Sequence, residues 1–274
     1  MTNRKIWAAA AVSVATLAVA TSAFAQFNTD EAGLRARDKA ARDKVAAAVE
    51  ADKKHPRVGG IWSGQLVTTV KTVDGKLPPM NAAALKLYNQ RVAARKRGDV
   101  KDDPVEFCLP PGTPRSLWSG EPVMIGQAPV KITFYHQYRH LIRHVFLDGP
   151  VKLDEPDPNW EGHSSGWWDG NVLKIETIGF NGEQWLDTAG LPQSPDMKVA
   201  EVIKLLDQNT LEETVTITDP KYYSAPWSTK VTYKRLPDNA RMPEEECSEK
   251  LLEFPLKPYA PSDGGTGHGA RGGN

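Results

Sequence analysis

His163 is the residue of this chain most suited to acid–base chemistry. It stands in the run Trp160-Glu161-Gly162-His163-Ser164-Ser165-Gly166-Trp167-Trp168, between glycines and beside indoles. An imidazole held partly out of water in such company titrates in a usable range. Acid or base work also needs an orienting partner, and Asp187 and Glu201 are the candidates. Together His163, Asp187 and Glu201 suggest the catalytic set of a cofactor-independent lyase, isomerase or hydrolase. Ser164 adjoins the histidine, but neighbours on a strand point to opposite faces, so a Ser–His relay between them is geometrically poor. The competing role for His163 is structural, its ring bonding a loop carbonyl and fixing the hairpin. Asp148 and Asp187 equally suit turn-making, the commoner task of aspartate near turns.

Glu201 and Glu213 interrupt apolar alternation. Val199, Glu201, Ile203 and Leu205 share one strand face, as do Leu211, Glu213, Val215 and Ile217. A buried acid costs several kcal/mol unless it is paired, typically with arginine. Either both acids line an interior, or those faces point outward and Ala200, Val202 and Leu206 form the core. Seven tryptophans follow the first 25 residues, and indole-rich walls with a few polar anchors suit a small apolar or aromatic ligand. Trp160, Trp168 and Trp185 are the wall candidates, with Arg143, His136 and Glu213 as anchors. Ordinary core filling is the alternative for most of these indoles.

His136, His140 and His144 recur every four residues, which on a helix would stack them for one metal ion. The flanking Ile132-Thr133-Phe134-Tyr135 and Val145-Phe146-Leu147 read as strand instead. On a strand His140 and His144 would lie about 13 Å apart, so no metal is expected there. No nucleotide loop, zinc signature, Gly-x-Ser-x-Gly elbow or Cys-x-x-Cys is present, so no cofactor is expected.

Arg4-Lys5, the apolar run Ile6–Ala20 and Ala23-Phe24-Ala25 have the three parts of a secretion signal, with cleavage expected after Ala25. The product would be periplasmic or secreted, with no membrane span after processing. Removal takes two basic residues and no acids, leaving 32 basic against 34 acidic, a net of −2. That balance excludes an electrostatic nucleic-acid binder. Cys108 and Cys247 are the two cysteines, both after the cleavage point. In an oxidising compartment an even pair is expected to bridge, for a loop-entropy gain of at most roughly 5 kcal/mol.

These groups must be positioned by elements that the patterning indicates. Residues 26–57 hold a charged helix over 29–54, capped by Thr29 or Asp30, with a thin stripe of Leu34, Ala41, Val45 and Val49. Residues 58–257 read as one β-rich domain. A helical insertion near 82–97 has Asn81 as cap, Leu85, Tyr88 and Val92 as stripe and Gly98 as stop. The Pro-rich passage 102–122 must be irregular. Nine strands are expected: Ile61–Val73, Val123–Gln127, Val130–His136, Leu141–Leu147, His163–Trp168, Val172–Phe180, Val199–Leu206, Leu211–Thr218 and Trp227–Leu236. Asp169-Gly170-Asn171 and Asp207-Gln208-Asn209-Thr210 mark hairpins. Without βαβ alternation the fold class is mostly β, an antiparallel meander barrel or strongly curved sheet of lipocalin/calycin-like kind, with two peripheral helices. The tail 258–274 is Gly-, Pro- and Ser-rich and is expected to be disordered.

Cys108-Leu109-Pro110-Pro111-Gly112, Arg143 to Gly149, Gly162-His163-Ser164 with Gly166, Trp168 and Gly170, and Gly179-Phe180 occur in a recognisable order. Trp185-Leu186-Asp187, Glu201, Asp219-Pro220, Pro226-Trp227 and Cys247 continue it. The set, over about residues 58 to 250, resembles a large, mostly uncharacterised family of exported bacterial β-rich proteins. The resemblance implies an exported β-rich domain and no particular activity. This chain departs from the pattern after the Asp-Gly turn, where members usually continue with Arg and then His-Pro. Here Pro150-Val151-Lys152-Leu153 stands instead. The functional expectation is a periplasmic barrel that binds a small apolar or aromatic molecule. The enzyme built on His163 is one alternative, and an envelope structural or assembly partner, docking through the N-terminal helix, is a second.

Overall fold

The computed structural model describes residues 31–245, apart from 153 and 155, together with residue 247. The expected signal, the cap at Thr29 or Asp30 and the tail fall outside the described residues. The chain divides into two compact units, one holding the N-terminal helix and the other nearly all of the β structure. The helix α1 spans Glu31–Asp52. Val45 and Val49 of its expected stripe are 48% and 37% exposed, so these valines are not core residues.

Among the described residues, nine strands close into a barrel in chain order. They are β1 (Gly60–Ser63), β2 (Pro122–Ala128), β3 (Lys131–His136), β4 (Ile142–Phe146), β5 (His163–Asp169), β6 (Val172–Ile178), β7 (Lys198–Asp207), β8 (Thr210–Thr218) and β9 (Trp227–Arg235). Closure is made by β1, which pairs with β2 on one side and β9 on the other. The hairpins fall where the turn residues placed them. Asp169 faces Val172 across Gly170-Asn171, with Gly170 at φ 59°, and Asp207 faces Thr210.

The expectation of an antiparallel meander needs one correction. β4 and β5 run parallel, with Val145 opposite Ser164 and Phe146 opposite Ser165. A parallel neighbour needs a crossover of a dozen residues or so, and the segment 147–162 supplies it with no helix among its described residues. Its prolines at 150, 156 and 158 keep it irregular. The barrel is therefore mixed, and the parallel seam is short. Gly166 faces inward beside that seam, where a Cβ would stand 2.9 Å from Val145 Cγ1. Its lack of a side chain leaves room for the valine.

Two further expectations change. The run Ile61–Val73 is a strand only over Gly60–Ser63. Beyond it the backbone donors are committed elsewhere: Val70 N–H donates to the Asp187 carboxylate at 2.9 Å, and Thr72 closes a turn with Lys76. The helix α2, Ala82–Arg97, has its expected cap, with Asn81 Oδ1 accepting from Ala84 N–H at 3.0 Å and Gly98 left-handed at φ 69°. Its buried face, however, holds Ala84 and Tyr88, while Leu85 is 44% exposed. Arg91 and Arg95 of α2 instead lie over the Trp185 ring, 4.6 and 5.5 Å from its centroid.

The barrel interior is filled by alternate residues of each strand. Val199, Glu201 and Ile203 face inward from β7, and Leu211, Glu213, Val215 and Ile217 from β8, each at most 1% exposed. That decides the orientation of the hairpin. Cys108 and Cys247 are bridged, with Cα atoms 5.8 Å apart. The bridge holds the segment in which Glu245 accepts a hydrogen bond from the Arg139 amide at 2.6 Å.

Candidate functional site

Strand alternation sends Arg143, His136, Glu201 and Glu213 to the barrel centre. The Arg143 guanidinium makes a two-armed pair with the Glu201 carboxylate, one arm at 2.8 Å. It also donates to Ser164 Oγ and Thr177 Oγ1, both at 2.9 Å. Both charged side chains are at most 1% exposed. Burial pushes the Glu201 pKa up, but the adjacent Arg143 outweighs it, so the net shift is downward and Glu201 is ionised. Burial disfavours the charged guanidinium in turn, and Glu201 more than offsets this, leaving the Arg143 pKa raised.

Glu213 completes the pair with a proton. Burial first, and then the Glu201 charge, raise its pKa well above the usual carboxylate range. Its Oε1, acceptor-only if ionised, would have no donor to accept from. Protonated, Glu213 donates to Glu201, and its Oε2 accepts from the Tyr233 hydroxyl at 3.0 Å. The three groups thus total no net charge, which makes full burial affordable. His136 completes the centre as a neutral imidazole. Burial, and then the Arg143 charge, lower its pKa to about 3. Its Nε2 has no hydrogen-bond partner among the described residues. Glu161 lies nearby in electrostatic range of Arg143, its carboxyl raised by burial and bonded by Thr113 Oγ1 at 2.7 Å.

Sequence reasoning named Arg143, His136, Glu201 and Glu213, and the fold brings all four together. It missed Ser164 and Thr177 as partners of Arg143, because that contact depends on the parallel seam. The acid–base set is dispersed. Glu201 belongs to the centre, whereas Asp187 pins a loop, accepting from Val70, Gly190 and Leu191 amides at 2.9, 2.8 and 3.0 Å. His163 faces outward, and its Nε2–H donates to the Asp157 carbonyl at 2.8 Å, beside the Asn159 amide. The wall candidates separate too. Trp185 is fully buried beneath the two α2 arginines, Trp168 packs partly buried on the core, and the Trp160 carbonyl accepts from Gln184. The three histidines point three ways: His136 inward, His140 in the β3–β4 turn bonded to Tyr135 and Glu245, and His144 outward on Thr133 at 3.2 Å.

The outer side of the seam holds an open cleft of about 550 Å³. Its lining includes His144, Phe146, Pro150, Lys152, His163 and Ser165, with Ser164 beneath. Outward alternation on β4 leaves Phe146 54% exposed. The far wall is crossover backbone tied to the barrel, Gly149 N–H donating to Gly166 O at 3.1 Å and Val151 N–H to Glu176 at 3.3 Å. Gly162, at φ 65°, lets the chain enter β5 here; a Cβ would stand 2.7 Å from Thr177 Cγ2. Ser164 joins the two regions, lining the cleft while its Oγ accepts from Arg143. Of this lining the sequence reading singled out His163 and Asp148 as possible site residues. Phe146 was hidden because β4 alternates apolar and polar residues on both faces.

Among the described residues no helix is long and apolar enough to cross a membrane. The chain matches no family model, and none of the curated proteins matches it.

Proposed function

We propose that this chain is an exported, periplasmic β-barrel protein that binds a small apolar or aromatic molecule in the cleft outside the β4–β5 seam. One observation carries the reading. A half-exposed phenylalanine, Phe146, stands in a cleft of about 550 Å³ with two imidazoles and a proline around it. That volume falls within the range of small-molecule sites, which pair apolar walls with a few polar anchors. The barrel centre supports the reading indirectly, because Arg143 of β4 is bonded to Ser164 of β5, Thr177 and Glu201 and so ties the two seam strands together. The Cys108–Cys247 bridge and the signal-like first 25 residues support export.

Native mass spectrometry on protein released from the periplasm is the direct test. The reading expects a co-purifying aromatic or apolar molecule that Phe146→Ser loses. Replacing the ring removes about 2 kcal/mol of apolar burial, roughly a 30-fold loss of affinity. A ligand retained equally by Phe146→Ser would put the site elsewhere.

A further inference from the structure

We propose that the cleft ligand is an aromatic zwitterion, a molecule carrying one ammonium and one carboxylate as an α-amino acid does. This rests on the seam cleft being the ligand site. Asp148 and Lys152 both line the cleft, on either side of Gly149-Pro150-Val151, with Phe146 and Pro150 also in its wall. Among the described residues neither makes an ion pair, although lysines elsewhere on this domain find acids readily. Lys174 reaches Asp169 at 2.6 Å, Lys76 reaches Asp74 at 2.8 Å and Lys230 reaches Glu212 at 3.1 Å.

Backbone anchoring accounts for the separation. Gly149 and Val151 are each hydrogen-bonded to the barrel, and Pro150 between them has its φ fixed by its ring. The segment therefore presents an anion and a cation in one cleft without letting them collapse together. A neutral aromatic ligand would displace water from both charges and replace it at neither, a net cost. A ligand with one charge compensates one group alone. A zwitterion compensates both, its ammonium on Asp148 and its carboxylate on Lys152, while the ring takes the Phe146 and Pro150 surface. Ser165 and the two imidazoles add hydrogen-bonding atoms of either sense.

Isothermal titration of the purified protein near neutral pH separates the possibilities with four probes that share one phenyl ring. They are phenylalanine, phenethylamine, 3-phenylpropionate and benzyl alcohol. Phenylalanine should bind about tenfold more tightly than either singly charged probe, the scale of one charge-assisted hydrogen bond. Lys152→Met should abolish the advantage of phenylalanine over phenethylamine, without weakening phenethylamine itself. Asp148→Asn should do the same relative to 3-phenylpropionate. Benzyl alcohol binding as tightly as phenylalanine, and losing that affinity in Phe146→Ser, would overturn the zwitterion while leaving an aromatic cleft. Binding by none of the four would overturn both readings.

Discussion

Replacing Glu213 by glutamine tests whether the barrel centre carries a proton, and the pH dependence of stability reads the answer. Native Glu213 binds its proton more tightly than the unfolded chain does, because burial and the Glu201 charge both oppose ionisation. From the ordinary glutamate range up to its raised value, the folded state therefore holds the extra proton. Over that window stability falls as pH rises, by about 1.4 kcal/mol per pH unit. Below the window the contribution is whole. Glutamine mimics the protonated acid: its amide can donate to Glu201, and its oxygen can accept from Tyr233, which now sits 3.0 Å from Glu213 Oε2. It has no proton to lose. His136 works in the opposite sense. It is neutral when folded, with a pKa of about 3 against an ordinary 6.5, so its stabilisation is lost as pH falls through that interval. Where the two windows overlap, the wild-type slopes oppose and the curve is flattened; above the His136 interval, while native Glu213 still holds its proton, the wild type declines. Because His136 is common to both proteins, the difference curve isolates Glu213. Urea unfolding followed by tryptophan fluorescence should show Glu213→Gln gaining on the wild type by about 1.4 kcal/mol for each pH unit above the ordinary glutamate range over which native Glu213 stays protonated. In melting temperature that is roughly 3–6 °C per unit for a domain of this size. A difference curve that stays level from about pH 5 to 8 would mean that Glu213 is ionised in the folded protein, and the charge balance of the centre would be wrong.

Two other perturbations bear on the same structure. Arg143→Met strands the buried Glu201 charge and should cost about 3–5 kcal/mol near neutral pH; a deficit that shrinks on mild acidification, as Glu201 takes up a proton, is the expected signature in the same unfolding assay. Cys108→Ser removes the bridge and should lower stability by about 2–5 kcal/mol, and thiol titration of the native wild type should find no reactive group at Cys108 or Cys247.

Much of the domain was legible because β5–β6 and β7–β8 are hairpins closed by two-residue turns. Gly170-Asn171 and Gln208-Asn209 mark two of the reversals, and local pairing then propagates the period of two. The shared face of Glu201 and Glu213 was legible for the same reason. Which face it was could not be read, since Ala200, Val202 and Leu206 offered a second apolar side. The cation that decides it, Arg143, is 58 residues from Glu201 in sequence. Nothing local to either glutamate announces that contact, which is made across β5 and β6. The parallel seam escaped for a related reason: a crossover made of irregular backbone has no periodicity to detect. The overlong first strand shows the opposite failure. Thr68 to Val73 has good strand composition, but composition does not register that Asp187 takes the Val70 amide.

The closure of the barrel by β1 against β9 also makes the barrel a ring in which the starting strand is a matter of convention. Arg235 donates to the Gly59 carbonyl at 2.7 Å and the Leu236 amide to Ile61 O at 2.8 Å, so entry and exit of the barrel touch. Arg235 stacks over Trp62 at 4.1 Å and fastens the same junction from a side chain. A short linker there, with new ends opened at the exposed Gly170-Asn171 turn, would preserve the order in which every strand meets its neighbours. The seam would then lie not at mid-chain but near the end, and the cleft would be assembled last. Circular permutation can thus change the order of synthesis of the binding cleft without altering the cleft itself.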